Sequence, residues 1–110
     1  MKDTTPDILQ GTLDLLILRA LQLGPRHGWS ISKRIEQVSQ GVLVVQQGSL
    51  YPSLYRLTRR GWIEPAWGRT ENNRRAKFYR LTELGNRQLD IETKRWRRLS
   101  TAVTRVLRNA

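Results

Sequence analysis

A chain of 110 residues has room for one compact domain and at most one added element. Its 38% apolar content supports a small core, and the absence of cysteine excludes a disulfide framework and a thiolate metal site, as suits a cytosolic protein. Twenty basic against nine acidic residues leave a net charge of +11, which favours a polyanionic partner, DNA or RNA, over an anionic membrane.

The amino terminus, MKDTTPDILQG, lacks the long apolar run that follows the charged start of a signal peptide. The densest apolar stretch, LDLLILRALQL, covers about half a bilayer span and is interrupted by Asp14 and Arg19. Gly11-Thr12 offers an N-cap, with Asp14 in the first turn, where the helix dipole favours a carboxylate. Leu13 to Leu23 then reads as a helix that is apolar on almost every side. A domain this small cannot bury all of it, so one face, with Leu13 and Ile17, is a candidate subunit contact. Gly24-Pro25 ends the helix.

A second helix is expected from about Trp29 to Ser39, with Ile31, Ile35 and Val38 inward, Lys33 and Arg34 outward, and Gly41 closing it. Val42 to Val45 is a β-branched run that predicts a stub strand. The third helix runs roughly from Gln47 to Arg60, with Leu50, Leu54 and Leu57 as its core edge. The opposite side carries Gly48, Ser49, Pro52, Tyr55, Arg56 and Arg59, with Tyr51 on the flank. Pro52 is placed in the first turn, where its missing N–H costs nothing, with Ser49 as the cap and Gly61 closing the helix.

Two aromatic-rich strands follow, WIEPAW and AKFYRLT, joined by the basic tip GRTENNRR. Ile63, Trp67, Tyr79 and Leu81 form their inner pattern, and Pro65 confines its strand to an edge. Residues 55–82 hold eight basic side chains against Glu64 and Glu71, so +6 of the charge lies here, whereas residues 1–54 carry only +1. From Glu83 one long helix reaches the end of the chain, with Leu89, Glu92, Trp96, Leu99, Val103, Val106 and Ala110 at alternating three- and four-residue spacing. Such a stripe, with one polar interruption at Glu92, calls for a partner helix, and the chain's own copy is the first candidate. The alternative is packing against the chain's own first helix. The fold expected is mainly α with a small β-hairpin: a winged helix-turn-helix over residues 1–82 that binds DNA, and a dimerisation helix over 83–110.

The segments ILQGTLDLLILRAL, LGPRHGWSI, QGSLYPSLYRL, GW and KFYRLTELG resemble those of short PadR-family transcriptional regulators from about Asp7 to the end of the chain. The most specific element is the pairing of GSLYPSLYRL with FYRLTELG at winged-helix spacing. The resemblance implies a winged-helix domain, a dimer built through the first and last helices, repression at pseudo-palindromic operators, and release by a small molecule in many members. Two positions depart from the commonest pattern. Leu57-Thr58-Arg59-Arg60 stands where a Leu-Glu pair is usual, making this helix more cationic, and Gly28-Trp29 replaces Gly-Tyr while keeping an aromatic plug.

Candidate DNA contacts are Gln47, Ser49, Tyr51, Pro52, Tyr55, Arg56 and Arg59 on the third helix, and Asn73, Arg74, Arg75 and Lys77 on the wing. Tyr51 reads equally as a core aromatic. An arginine-bearing wing tip suits a narrow minor groove, whereas Glu71 is better placed to pair with a neighbouring arginine. Candidate dimer residues are Leu13, Ile17, Leu89, Trp96, Leu99, Val103 and Val106. Trp96 is first an interface anchor; two copies across a dimer axis would also form a platform for a small aromatic effector. His27, the only histidine, is expected to start a helix and not to bind metal.

No nucleophile–base pair or glycine-rich phosphate loop is evident, so no enzyme activity, cofactor or metal is expected. Three functions remain: a cytoplasmic, nucleoid-associated, sequence-specific repressor; an architectural or RNA-binding basic protein; and a membrane-surface protein using its last helix. The last is disfavoured because the stripe is poor in Phe and Leu.

Overall fold

One core of aliphatic side chains organises the molecule, drawn from every helix and from the two long strands: Leu13, Ile17, Leu18 and Leu21; Ile31 and Ile35; Leu50, Leu54 and Leu57; Ile63, Tyr79 and Leu89. The computed structural model describes residues 9–110. Chain order is α1 (Gln10–Leu21), β1 (Arg26–His27), α2 (Gly28–Val38), α3 (Gln47–Arg59), β2 (Ile63–Arg69), β3 (Arg75–Leu81) and α4 (Glu83–Asn109). Three helices and a small antiparallel sheet form the winged helix, and α4 leaves it as a 27-residue rod, about 40 Å at 1.5 Å per residue. No described helix is long and apolar enough to cross a membrane.

α1 begins earlier than expected. Leu9 occupies the cap without a side-chain bond, so Gly11-Thr12 lies inside the helix and Asp14 is past the first turn. Asp14 is instead buried, facing α3. Leu13 and Ile17, expected at a subunit contact, are consumed by the chain's own core. They are i, i+4 neighbours on the buried face of α1, with Leu18 and Leu21 beside them.

The sheet has three strands in the order β1-β3-β2. β1 is a two-residue strand on which Arg26 pairs with Tyr79 and His27 with Phe78. β2 is an edge, as Pro65 requires, in register from Ile63↔Leu81 to Arg69↔Arg75. Val42–Val45 forms no strand. Leu43 and Val45 pack on the core without regular secondary structure, and the Leu43 amide is satisfied by the Ser39 hydroxyl at 3.0 Å. Val42 is exposed, so only part of the run is used in packing. Trp67, expected on the inner face of the hairpin, lies beyond the core's edge and is 61% exposed.

α3 starts at Gln47, as expected, but its N-cap is Gln46, three residues before the predicted cap Ser49. Pro52 is therefore inside the helix, and Ser49 is a first-turn residue whose amide reaches the Gln46 carbonyl at 3.0 Å. Proline leaves the Gly48 carbonyl without its i+4 donor, and because Gly48 is exposed that carbonyl is open to water. Gly61 ends α3 with φ +77°; its amide bonds Thr58 O at 3.0 Å and the Trp62 amide bonds Leu57 O at 3.1 Å. The chain thus turns back directly into β2.

Thr82 joins the wing to α4. Its hydroxyl accepts from the Gly85 amide at 3.0 Å, and its own amide donates to the Trp62 carbonyl at 3.0 Å. Gly85 presses on that carbonyl so closely that a Cβ would sit 1.9 Å from its oxygen. Leu89, one turn on, is buried in the same core and is not free for a partner chain.

Candidate nucleic-acid interface

The outward face of α3 presents Gln47, Gly48, Ser49, Tyr51, Pro52, Tyr55 and Arg59. Tyr55 is 62% exposed, and Arg59 covers it from one turn on, with its guanidinium 5.7 Å from the ring centroid and Nη1 donating to the phenol at 3.2 Å. Tyr51 lies over Gly28 at the start of α2, where a Cβ would meet the phenol oxygen at 2.8 Å. Gly28 is thus small because Tyr51 occupies the space, and the ring is half exposed, serving both packing and surface. Trp29 is no plug: it is an exposed residue with Lys33 5.6 Å from its ring. His27 caps α2, accepting from the Ser30 amide at 3.4 Å, and meets Phe78 edge-on at 5.2 Å.

Arg56 departs from the expectation that it faces away from the leucines. Its Nη2 donates to Asp14 Oδ1 and to Ser53 Oγ, both at 2.9 Å, and its side chain is 27% exposed. The wheel position lies between the core edge and the outer face, so a long side chain reaches either, and the buried Asp14 on α1 decides which. Burial raises the Asp14 carboxyl above its ordinary range, opposed by the Arg56 charge. Burial likewise raises the Tyr79 phenol.

The wing tip is a tight loop. The Thr70 amide bonds Arg74 O at 2.9 Å, the Asn73 amide bonds Thr70 O at 2.9 Å, and Asn73 takes the left-handed φ of +58° that asparagine tolerates. Arg69 Nη1 donates to the Asn73 carbonyl at 3.2 Å, and the Arg75 guanidinium lies 4.4 Å from the Trp67 ring centroid. Exposed Trp67 is therefore a shelf that holds Arg75. Arg80 is paired with Glu64, while Glu71 has no ion-pair partner among the described residues. Between the wing and the starts of α2 and α3 runs an open cleft of about 1010 Å³, bordered by Tyr51, Trp29, Arg26, Arg69, Arg74, Arg75 and Lys77, with Glu71 its only carboxylate among the described residues. Of the sequence-predicted residues, Arg74, Arg75, Lys77 and Tyr51 thus share one concavity, whereas Asn73, Arg56 and the other α3 candidates lie outside its lining.

On α4 the stripe Trp96, Leu99, Val103 and Val106 is 47–61% exposed. Glu92, the polar interruption, is held by Gln88 at 2.9 Å and Arg95 at 2.8 Å. The described residues contain no His/Cys/Asp/Glu cluster able to hold a metal ion.

Residues 17–91 match the profile of the Transcriptional regulator PadR-like family. The chain belongs to that family. As a PadR-like protein it is a DNA-binding transcriptional regulator with a winged-helix fold, and not an enzyme. It is 32% identical over 90 residues to "Uncharacterized protein X" of Lysinibacillus sphaericus, covering 82% of this chain and 83% of that one. Its fold is similar to that of a transcriptional regulator from Clostridium thermocellum, with TM-score 0.81 and 27% identity over 91% of this chain and 97% of the other. A PadR-like transcriptional regulator from Bacillus cereus aligns with TM-score 0.78 and 27% identity over 93% of this chain and 97% of that one.

Proposed function

We propose that this PadR-like regulator is a homodimeric repressor that reads a pseudo-palindromic operator, with residues 1–82 gripping DNA and residues 83–110 joining two copies. The observation that supports it best is the cationic cleft between wing and helix starts, with basic side chains along its wall and one carboxylate. In this reading Gln47, Ser49, Tyr51, Pro52, Tyr55 and Arg59 of α3 enter the major groove, where a helix fits and base edges are distinguishable. Asn73, Arg74, Arg75 and Lys77 of the wing meet the flanking phosphates and minor groove. Arg56 contributes only the part of its guanidinium that Asp14 leaves free.

Dimerisation is proposed from the α4 stripe Trp96, Leu99, Val103 and Val106, which the chain's own core leaves uncovered. Paired Trp96 rings across the two-fold axis would stack a small aromatic effector whose binding loosens the DNA complex. The cytoplasm, in contact with the nucleoid, is the compartment this role requires. The test is footprinting on the region upstream of the protein's own gene. Protection of an inverted repeat by wild type is the expected result. Equal binding to every duplex at the same salt would replace the repressor with an architectural protein.

A further inference from the structure

We propose that Asp14, on α1 and away from the outer face of α3, is a positioning residue for DNA recognition that fixes the Arg56 guanidinium at the edge of the recognition helix. This rests on the DNA-binding reading above and assigns a role to a residue outside the contact surface. Three observations carry it.

The geometry comes first. Asp14 Oδ1 and Ser53 Oγ both accept from Nη2 of Arg56 at 2.9 Å, and Asp14's side chain is only 10% exposed. A guanidinium is a rigid plane, so fixing one nitrogen on two acceptors fixes the whole fork. Second, the fork is used from one side only. Nη1 forms no hydrogen bond among the described residues, and the Arg56 side chain keeps 27% of its exposure beside Tyr55 and Arg59. An arginine held in this way has little rotamer freedom left to lose when it meets a phosphate or base edge.

Third, the pair is poorly built as a stability device. Arg56 Nε is buried with no acceptor, and burial works against the Asp14 charge. An apolar pair of similar volume would fill this place without either penalty. What the ion pair provides instead is a fixed direction for a cation on α3.

The experiment compares wild type, Asp14→Asn, Asp14→Ala and Arg56→Lys on two duplexes at one salt concentration. One is the sequence that wild type selects from a random pool, and the other is an unrelated duplex; melting temperatures are recorded alongside. Asp14→Ala and Arg56→Lys are expected to lower the selected-to-unrelated affinity ratio roughly tenfold, the scale of one specific contact. Asp14→Asn keeps an acceptor and the volume, and is expected to fall between them and wild type. Unrelated duplex is bound as tightly as before or slightly more so by the Asp14 variants, whose net charge rises. Lower melting temperatures with an unchanged ratio would show that the pair only holds the fold, overturning the proposal. If Asp14→Ala does not fold, the same ratio in Asp14→Asn and Arg56→Lys decides. A wild type that selects no sequence overturns the DNA-specific reading, and this proposal with it.

Discussion

Tyr55 and Arg56 are adjacent on α3 and have opposite environments. Tyr55 is exposed and bonded to Arg59, whereas Arg56 is drawn back to Asp14. Tyr55→Ala is therefore expected to melt within about a degree or two of wild type, as surface changes do. It is also expected to lower operator affinity by on the order of 1–3 kcal/mol, with a smaller loss on random duplex. Matched losses on both duplexes would remove Tyr55 from base readout. Asp14 gives a pH signature. Burial raises its carboxyl above the ordinary 3.8, so the folded chain holds that proton more tightly than the unfolded one. The stability this difference supplies is complete below about pH 4 and is lost as pH rises through the folded value. Denaturant titrations of wild type and Asp14→Asn from pH 4 to 7 are expected to show wild type's relative stability declining with pH. A relative stability that grows with pH would contradict the burial account.

At the scale of elements, the tightest joint is the start of α4. Gly85→Ala forces a Cβ into the Trp62 carbonyl at 1.9 Å, so strand and helix must part. The expected loss is on the order of 2 kcal/mol or more, in the range of overpacked sites. Gly11→Ala, with open space around it in α1, is expected to gain about 0.5–1 kcal/mol from helix propensity. Equal effects at the two glycines would contradict the joint's geometry. The wing is tested by salt. Arg74→Ala with Arg75→Ala is expected to weaken operator and random DNA alike and to reduce the log–log salt slope by about 0.9 for each phosphate no longer neutralised. An unchanged slope would place the wing off the DNA. Periodicity makes these elements legible: Leu50, Leu54 and Leu57 mark one face of a helix, and Ile63 and Tyr79 mark one face of a hairpin. β1 is not legible, because Arg26–His27 has no strand propensity and is extended only where β3 offers a ladder. Arg56 and Trp67 escape the sequence pattern for a related reason. A helical wheel cannot show that Asp14 approaches from α1, and alternation cannot show where the core ends along a hairpin.

For the whole molecule, the apolar inventory divides in two. Leu13, Ile17 and Leu89 close the core of the chain, and the stripe from Trp96 to Val106 stays exposed, which is the surface proposed for a second copy. Only the second half of the expected dimer surface is therefore available, since burial in the domain's own core has to be satisfied first. Leu99→Glu with Val103→Glu is expected to give folded monomers by sedimentation and to abolish operator binding, because a palindrome needs two recognition helices at fixed spacing. A double variant that stays dimeric would move the interface elsewhere. The proposed activity is sequence-specific recognition by α3 and the wing in a dimer. Its most direct measurement is the ratio of affinities for the protected upstream repeat and for random duplex, taken at one salt concentration, about 150 mM. A ratio of about a thousand or more is expected. A ratio near one would contradict it, leaving the basic cleft as a grip on any duplex.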